Sequence, residues 1–241
     1  MEFFVDENKL IYFKSHGKKD VIIPDNVAII GKRIFENCDK LKTVTIPEGV
    51  MSIEKEAFRN CKNLTTVVVP DSMTDIEEYA FKDCENLSDI SIPNGLTCIN
   101  MAVFYGCTSL TTITIPDSVT VIDSSAFEKC KNLTSVTIGN KVVSIGGGAF
   151  RECYSLTNIA IPDSVTNIGC EAFGDCVELT GIIIPNSVTT IRERTFRNCV
   201  ELTDIIIPAS VTTIGEGAFR NCVELTDIII PDSISNCAKI N

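Results

Sequence analysis

Features that commonly carry enzymatic chemistry are scarce in this sequence of 241 residues. It contains a single histidine, His16, in the stretch KSHGKKD, away from every repeated feature of the chain. No glycine-rich phosphate loop follows a predicted strand, since SIGGGAF (144–150) is a variant of a turn that recurs along the chain. We therefore expect no catalytic residues, no metal site and no cofactor, and a hydrolase or metal enzyme is the least favoured alternative.

The sequence also has no long apolar run and no excess of basic residues. No stretch approaches the length of a membrane-spanning helix, and the N-terminus lacks the charged and apolar regions of a signal peptide. As written, the chain is expected to be cytoplasmic and not inserted in a membrane. Its net charge of −11 disfavours a nucleic acid or an anionic membrane as the partner. Twelve cysteines without an export signal favour a reducing compartment.

What the chain does contain is a period of 23 residues. The block RNCVELTDIIIP occurs twice, letter for letter, at 197–208 and 220–231. Phenylalanine, cysteine and leucine recur on this period, three residues apart, and proline keeps it with one exception, Gly139. The cysteine column comprises Cys38, Cys61, Cys84, Cys107, Cys130, Cys153, Cys176, Cys199 and Cys222. An unbroken period leaves no place for a domain boundary, which predicts one elongated stack of coils.

One repeat, residues 41–63, predicts a strand, a turn and a short helical segment. Val44 and Ile46 alternate with threonines, as in a strand with one buried face, and Pro47 ends that strand. The apolar residues of 53–61 then fall on one face of a helical turn or two. A single repeat buries too little to fold alone, so adjacent strands are expected to form a parallel sheet along the stack, giving an α/β solenoid.

The repeat resembles a known family. LTTITIPDSVTVIDSSAFEKC (110–130) and LTDIIIPASVTTIGEGAFRNC (202–222) are similar to the BspA-like class of leucine-rich repeats, whose pattern is I-P-x-x-V-x-x-I-G-x-x-A-F-x-x-C. The resemblance implies a right-handed superhelix with a parallel β-sheet on the concave face and short helical or 3-10 segments with loops on the convex face. It also implies protein binding or adhesion, and a cell-surface or secreted location if a leader is missing.

Both ends of the array carry expectations. FFVDENKLIYF looks like a capping β-hairpin with Asp6, Glu7 and Asn8 in its turn. We divide the chain into this hairpin (1–18) and a repeat array (19–241) of about nine 23-residue repeats plus an incomplete last coil. In that coil Cys237 takes the position of a buried isoleucine. An uncapped coil would expose core, so the alternative function is a structural scaffold that forms homo-oligomers through its C-terminal edge.

The cysteine column is interpreted as structural. Stacked Cβ vectors run parallel, which disfavours disulfides, and a buried thiol behaves as a small hydrophobe. Cys98 and Cys170 lie off the column and are expected to be exposed.

The outward positions of the predicted concave sheet supply the candidate site. Ile183, Ile206 and Ile229 are successive members of one outward column, and Asp204 and Asp227 belong to its neighbour. Contiguous exposed apolar residues often mark interaction sites, so these five residues are predicted to bind a protein partner, with the aspartates selecting a basic rim. The alternative is that the isoleucines are strand formers copied with the duplicated repeat.

Overall fold

The computed structural model describes residues 2–14, 17–226 and 228–234 and the backbone of 236–237. Within these residues the chain forms a β-solenoid of about nine turns, in which each residue of a strand pairs with the residue 23 positions further on, such as Thr43 with Thr66. The structure assigns no helix in the described ranges. The interval seen in the sequence is therefore one turn of the solenoid.

An antiparallel hairpin opens the chain, as the sequence predicted. Strands β1 (Glu2–Asp6) and β2 (Lys9–Lys14) are joined through Glu7 and Asn8, whose φ angles are 43° and 68°. Two positive φ angles at the centre of a two-residue loop characterise the type I′ turn, which matches the twist of paired strands. The division into 1–18 and 19–241 stays a prediction.

Two parallel ladders run along the solenoid. The first sheet contains β3 (Asp20–Ile22), β5 (Thr43–Thr45), β7 (Thr66–Val68), β9 (Asp89–Ile90), β11 (Thr112–Ile115), β13 (Ser135–Ile138), β16 (Gly181–Ile183) and β18 (Asp204–Ile206). Its ladder is interrupted after β9 and after β13. The 23-residue period would place a further strand near Ile159, but that segment makes only an isolated bridge from Asn158 to Gly181.

The second ladder was not predicted from the sequence. It contains β4 (Ile29–Ile30), β6 (Ser52–Ile53), β8 (Asp75–Ile76), β10 (Cys98–Ile99), β12 (Val121–Ile122), β14 (Ser144–Ile145), β15 (Asn167–Ile168), β17 (Thr190–Ile191), β19 (Thr213–Ile214) and β20 (Asn236–Cys237). β2 pairs with β4, so the hairpin extends this second sheet at the N-terminal end. Its strands have two residues each, too few for their alternation to be recognised beside the longer strands of the first sheet.

The prediction of helical segments after each second-sheet strand is wrong. In the repeat that begins at Leu41, Glu56 and Asn60 both have φ of 59°, the left-handed conformation that a right-handed helix excludes. Successive amides alternate between a carbonyl of the same coil and a carbonyl of the next coil. Ala57 N–H donates to Glu54 O at 3.1 Å, whereas Phe58 N–H donates to Ala80 O at 2.8 Å. The segment is thus a chain of β-turns bonded between coils, and a helix would forfeit those bonds.

Phenylalanine and cysteine fill the centre of the turn segments. The rings from Phe35 to Phe219 stack in parallel, with successive centroids 4.8 to 5.8 Å apart. Each column thiol from Cys61 onward donates to the carbonyl of the phenylalanine 26 residues earlier, for example Cys107 Sγ to Phe81 O at 3.3 Å. The thiol therefore fills a small buried space and also satisfies its weak donor, which supports the structural interpretation of the column.

Candidate partner-binding surface

The predicted isoleucines are exposed side chains on the outer face of the first sheet or just beyond it. Ile183 and Ile206 lie opposite each other in β16 and β18 and are 63% and 60% exposed. Ile229 follows them in the same column and is 83% exposed. The same outward column carries Ile22 and Val68 near the N-terminus, also exposed. We call Ile183, Ile206 and Ile229 the isoleucine stripe.

Asp204 lies beside the stripe and is exposed. Its Oδ2 accepts a hydrogen bond from Thr203 Oγ1 at 3.0 Å, and it makes no ion pair with any lysine or arginine of the described residues. The carboxylate is therefore available to a cationic group from outside. Asp227, the second predicted aspartate, lies outside the described residues.

A groove beside the stripe was not predicted. It has a volume of about 540 Å³ and is lined by Asn158, Ile159, Ala160, Ile161, Gly181, Ile182, Ile183, Asp204 and Ile206. We call it the notch. Ile159 and Ile182 are buried and form its apolar floor, whereas Ile183 and Ile206 are exposed along its wall.

Two causes produce the notch. The residues that project outward over the floor are small, since Ala160 and Gly181 stand where most other coils have a larger side chain. The segment 158–161 also forms no strand with either neighbouring coil and makes only the isolated bridge from Asn158 to Gly181. Ala160 and Gly181 are visible in the sequence columns, but the loss of pairing is not.

Ion pairs join charged residues of the turn segments, both between coils and within a coil. Glu56 is nearly buried and binds both Arg33 and Arg59, and the hydrogen bond from Arg33 lowers the pKa of Glu56. Further along, Arg151 lies 3.2 Å from Glu171 and Arg194 lies 3.6 Å from the same carboxylate. These four arginines are therefore matched by carboxylates.

The remaining cysteines differ in exposure. Cys170 is exposed, as predicted, whereas Cys98 is half-buried, and burial raises the pKa of Cys98 to about 11. Burial also raises the pKa of the column thiol Cys130, so it stays neutral and is a poor nucleophile.

Among the described residues no group of three or more His, Cys, Asp or Glu side chains is arranged to hold a metal ion. His16 lies outside the described ranges. None of the described segments is a helix long and apolar enough to cross a membrane.

The coils repeat every 23 residues, and from Leu41 onward a leucine lies two residues before each first-sheet strand. Such stacked coils with an exposed sheet face define the class of leucine-rich-repeat solenoids. Comparison with protein families identifies which family within that class the chain belongs to. The family described as "BspA type Leucine rich repeat region (6 copies)" matches residues 10–134 and 121–240, and the chain belongs to it. No curated protein matches the chain.

Solved structures share the fold. A leucine-rich cell surface protein from Faecalibacterium prausnitzii A2-165 is 29% identical, with a TM-score of 0.72 over 96% of this chain and 75% of its own. A leucine-rich repeat protein from Bacteroides ovatus is 24% identical, with a TM-score of 0.59 over 98% of this chain and 88% of its own. The pneumococcal vaccine antigen PcpA shares the fold at 18% identity, with a TM-score of 0.55 over 96% of this chain and 79% of its own.

Proposed function

We propose that the chain is a non-enzymatic protein-binding module that recognises a protein partner through the outer face of the first sheet. The predicted contact residues are Ile183, Ile206, Ile229, Asp204 and Asp227. The observation that carries the proposal is the continuity of the exposed isoleucine stripe with the apolar notch.

The physical argument is one of surface area. Single exposed isoleucines are ordinary on soluble proteins, but contiguous ones beside a groove are typical of interaction sites. Burying one isoleucine fully contributes about 1.5–3 kcal/mol, so covering the stripe would supply much of the hydrophobic core of an interface. Asp204, at the edge of that core, would favour a basic partner.

An adhesive role is supported by the relatives. The F. prausnitzii protein is described as a cell surface protein and PcpA as a vaccine antigen, and both descriptions suit proteins that meet other molecules outside the cell. We extend this role to the present chain as part of the proposal. The predicted concavity of the first sheet would let a partner contact several coils at once.

The test is a pull-down from candidate partner extracts with three forms of the chain. The first is the wild type, the second carries Ile183→Lys, Ile206→Lys and Ile229→Lys, and the control carries Ile22→Lys and Val68→Lys. All five positions are exposed, so each change is expected to alter the free energy of unfolding by no more than about 0.5 kcal/mol. Urea unfolding would check this.

We expect a protein that the wild type and the control capture equally and that the triple variant does not. Equal capture by all three forms would contradict the proposal. Light scattering of the purified chain distinguishes this function from the alternative one. A molar mass that grows with concentration, in the wild type and in the triple variant alike, would favour a self-associating scaffold.

A further inference from the structure

We propose that the notch is the anchor of this surface and takes one aromatic side chain from an extended segment of a basic partner protein. The inference rests on the proposed function and adds the chemistry of the bound segment. Its ligand is a peptide in which an aromatic residue lies close to lysine or arginine.

The shape of the notch favours one large side chain. Its volume of about 540 Å³ falls in the range of pockets that enclose small ligands, which is about 300–1,000 Å³. A flat sheet face would cover a docked ring on one side only. In the notch, a docked ring would lie above Ile159 and Ile182 and beside Ile183 and Ile206. An aromatic side chain buries about 150–250 Å² and loses little conformational entropy, which is why such residues dominate interface energetics.

Backbone groups at the notch favour an extended segment. Beyond the isolated bridge from Asn158 to Gly181, no backbone hydrogen bond joins Ala160 or Ile161 to the described residues of the adjacent coils. Elsewhere in the first sheet these groups are paired, as where Ile184 N–H donates to Ile206 O at 3.1 Å. Open amides and carbonyls beside a pocket can bond the main chain of an extended peptide while the pocket holds its side chain.

Charge specifies the neighbouring residue of the ligand. Asp204 lines the notch and has no cationic partner among the described residues, and the chain as a whole carries a net charge of −11. A lysine or arginine next to the aromatic residue would meet this carboxylate at the edge of the notch. A carboxylate at the same place in the ligand would be repelled.

The test uses synthetic peptides and isoleucine methyl NMR. The probe is acetyl-Lys-Thr-Trp-Thr-Lys-amide, and the two matched probes replace either Trp by Ala or both Lys by Glu. Ile182, Ile183 and Ile206 report on the notch, and the exposed Ile22 serves as the remote reference. We expect saturable shifts at the three notch residues with the first probe, no shift at Ile22, and binding weaker by about tenfold or more for each matched probe.

Substitutions in the chain check the location. Ala160→Leu fills the notch and is expected to weaken binding of the tryptophan probe by at least about tenfold. Thr137→Leu is the matched control, because it adds apolar bulk to the same exposed column one coil earlier, where the residue does not line the notch. Asp204→Asn should weaken binding and reduce its dependence on salt.

The proposal is overturned if no notch methyl shifts at probe concentrations up to about 10 mM. It is also overturned if the three probes bind alike, or if Ala160→Leu and Thr137→Leu behave alike. If the triple lysine variant loses the partner while Ala160→Leu retains both the partner and the peptide, the proposed function is supported but the role of the notch is refuted. Retention of the partner by the triple variant would instead refute the proposed function itself.

Discussion

The buried thiols make the chain sensitive to alkaline pH, and this can be worked out from the structure. Burial raises the pKa of six column thiols, and a hydrogen bond with Cys84 together with burial raises that of Cys61. These seven are Cys61, Cys84, Cys107, Cys130, Cys153, Cys176 and Cys199. An unfolded cysteine has a pKa of about 8.5. The native state therefore holds protons that the unfolded state releases above that pH.

The sign follows from the direction of the shift. Because the folded pKa is raised, the stability contributed by each neutral thiol is fully present below about pH 8.5 and is lost as the pH rises towards the folded value. At pH 9.5 an unfolded thiol with a pKa of about 8.5 gains about 1.4 kcal/mol by ionising. For the seven thiols the free energy of unfolding falls by at most about 10 kcal/mol, a limit comparable with the whole stability of a typical domain. Cys222 offsets part of this loss, because a hydrogen bond with Cys199 lowers its pKa.

The assay is urea unfolding, followed by circular dichroism, at several pH values from 7 to 10 in the presence of a reductant. We expect the urea midpoint to be nearly constant up to about pH 8 and then to fall steeply between about pH 9 and 10. Ultraviolet absorbance should show the thiolates appearing together with unfolding. A constant midpoint through pH 9.5 would refute the burial of the thiol column. So would native thiolate absorbance equivalent to more than five of the twelve cysteines, because only five lie outside the seven buried thiols.

Two further substitutions test the core and the turns. Phe127→Ala removes a fully buried ring from the stack and should lower the free energy of unfolding by about 3–5 kcal/mol. The control, Phe4→Ala, removes an exposed ring and should lower it by less than about 1 kcal/mol. Similar losses for the two variants in chemical denaturation would contradict the stacked phenylalanine core. Ser125→Gly should raise the melting temperature slightly, because Ser125 has φ of 57°, a conformation that glycine adopts without steric cost. Ser124→Gly is the control at an ordinary φ and should lower the melting temperature. Equal shifts for the two variants would contradict the left-handed turn.

The solenoid was predictable because its determinants repeat. Phenylalanine and cysteine occupy single columns, and any period that keeps a large ring and a small thiol in step must stack them one above the other. The hairpin turn was equally readable, since Asn8 tolerates the positive φ that a type I′ turn requires. Local chemistry and period were enough for these features.

The turn segments could not be read in the same way. Apolar residues at 53, 57, 58 and 61 fit one face of a helix, and in the structure all four are buried. Ile53 ends strand β6, however, and Ala57 and Phe58 lie in the turns that follow it. Periodicity reports which residues face the core and not which backbone conformation places them there. The available signal was the residue type at the left-handed positions, where Asn60, Asp83 and Gly106 recur in one column, although Lys129 and Glu152 in the same column obscure it.

The notch shows where the sequence does inform about function. Inward columns of this chain hardly vary from coil to coil, since stacking requires the same ring and the same thiol at every turn. The outward column varies from Thr137 to Ala160 to Ile183 at no cost to that stacking. Information that distinguishes one coil from the next therefore resides on the outer face, and it is concentrated where small residues coincide with the break in pairing. Under our proposal, a partner that recognises this chain rather than any stack of similar coils would contact that place.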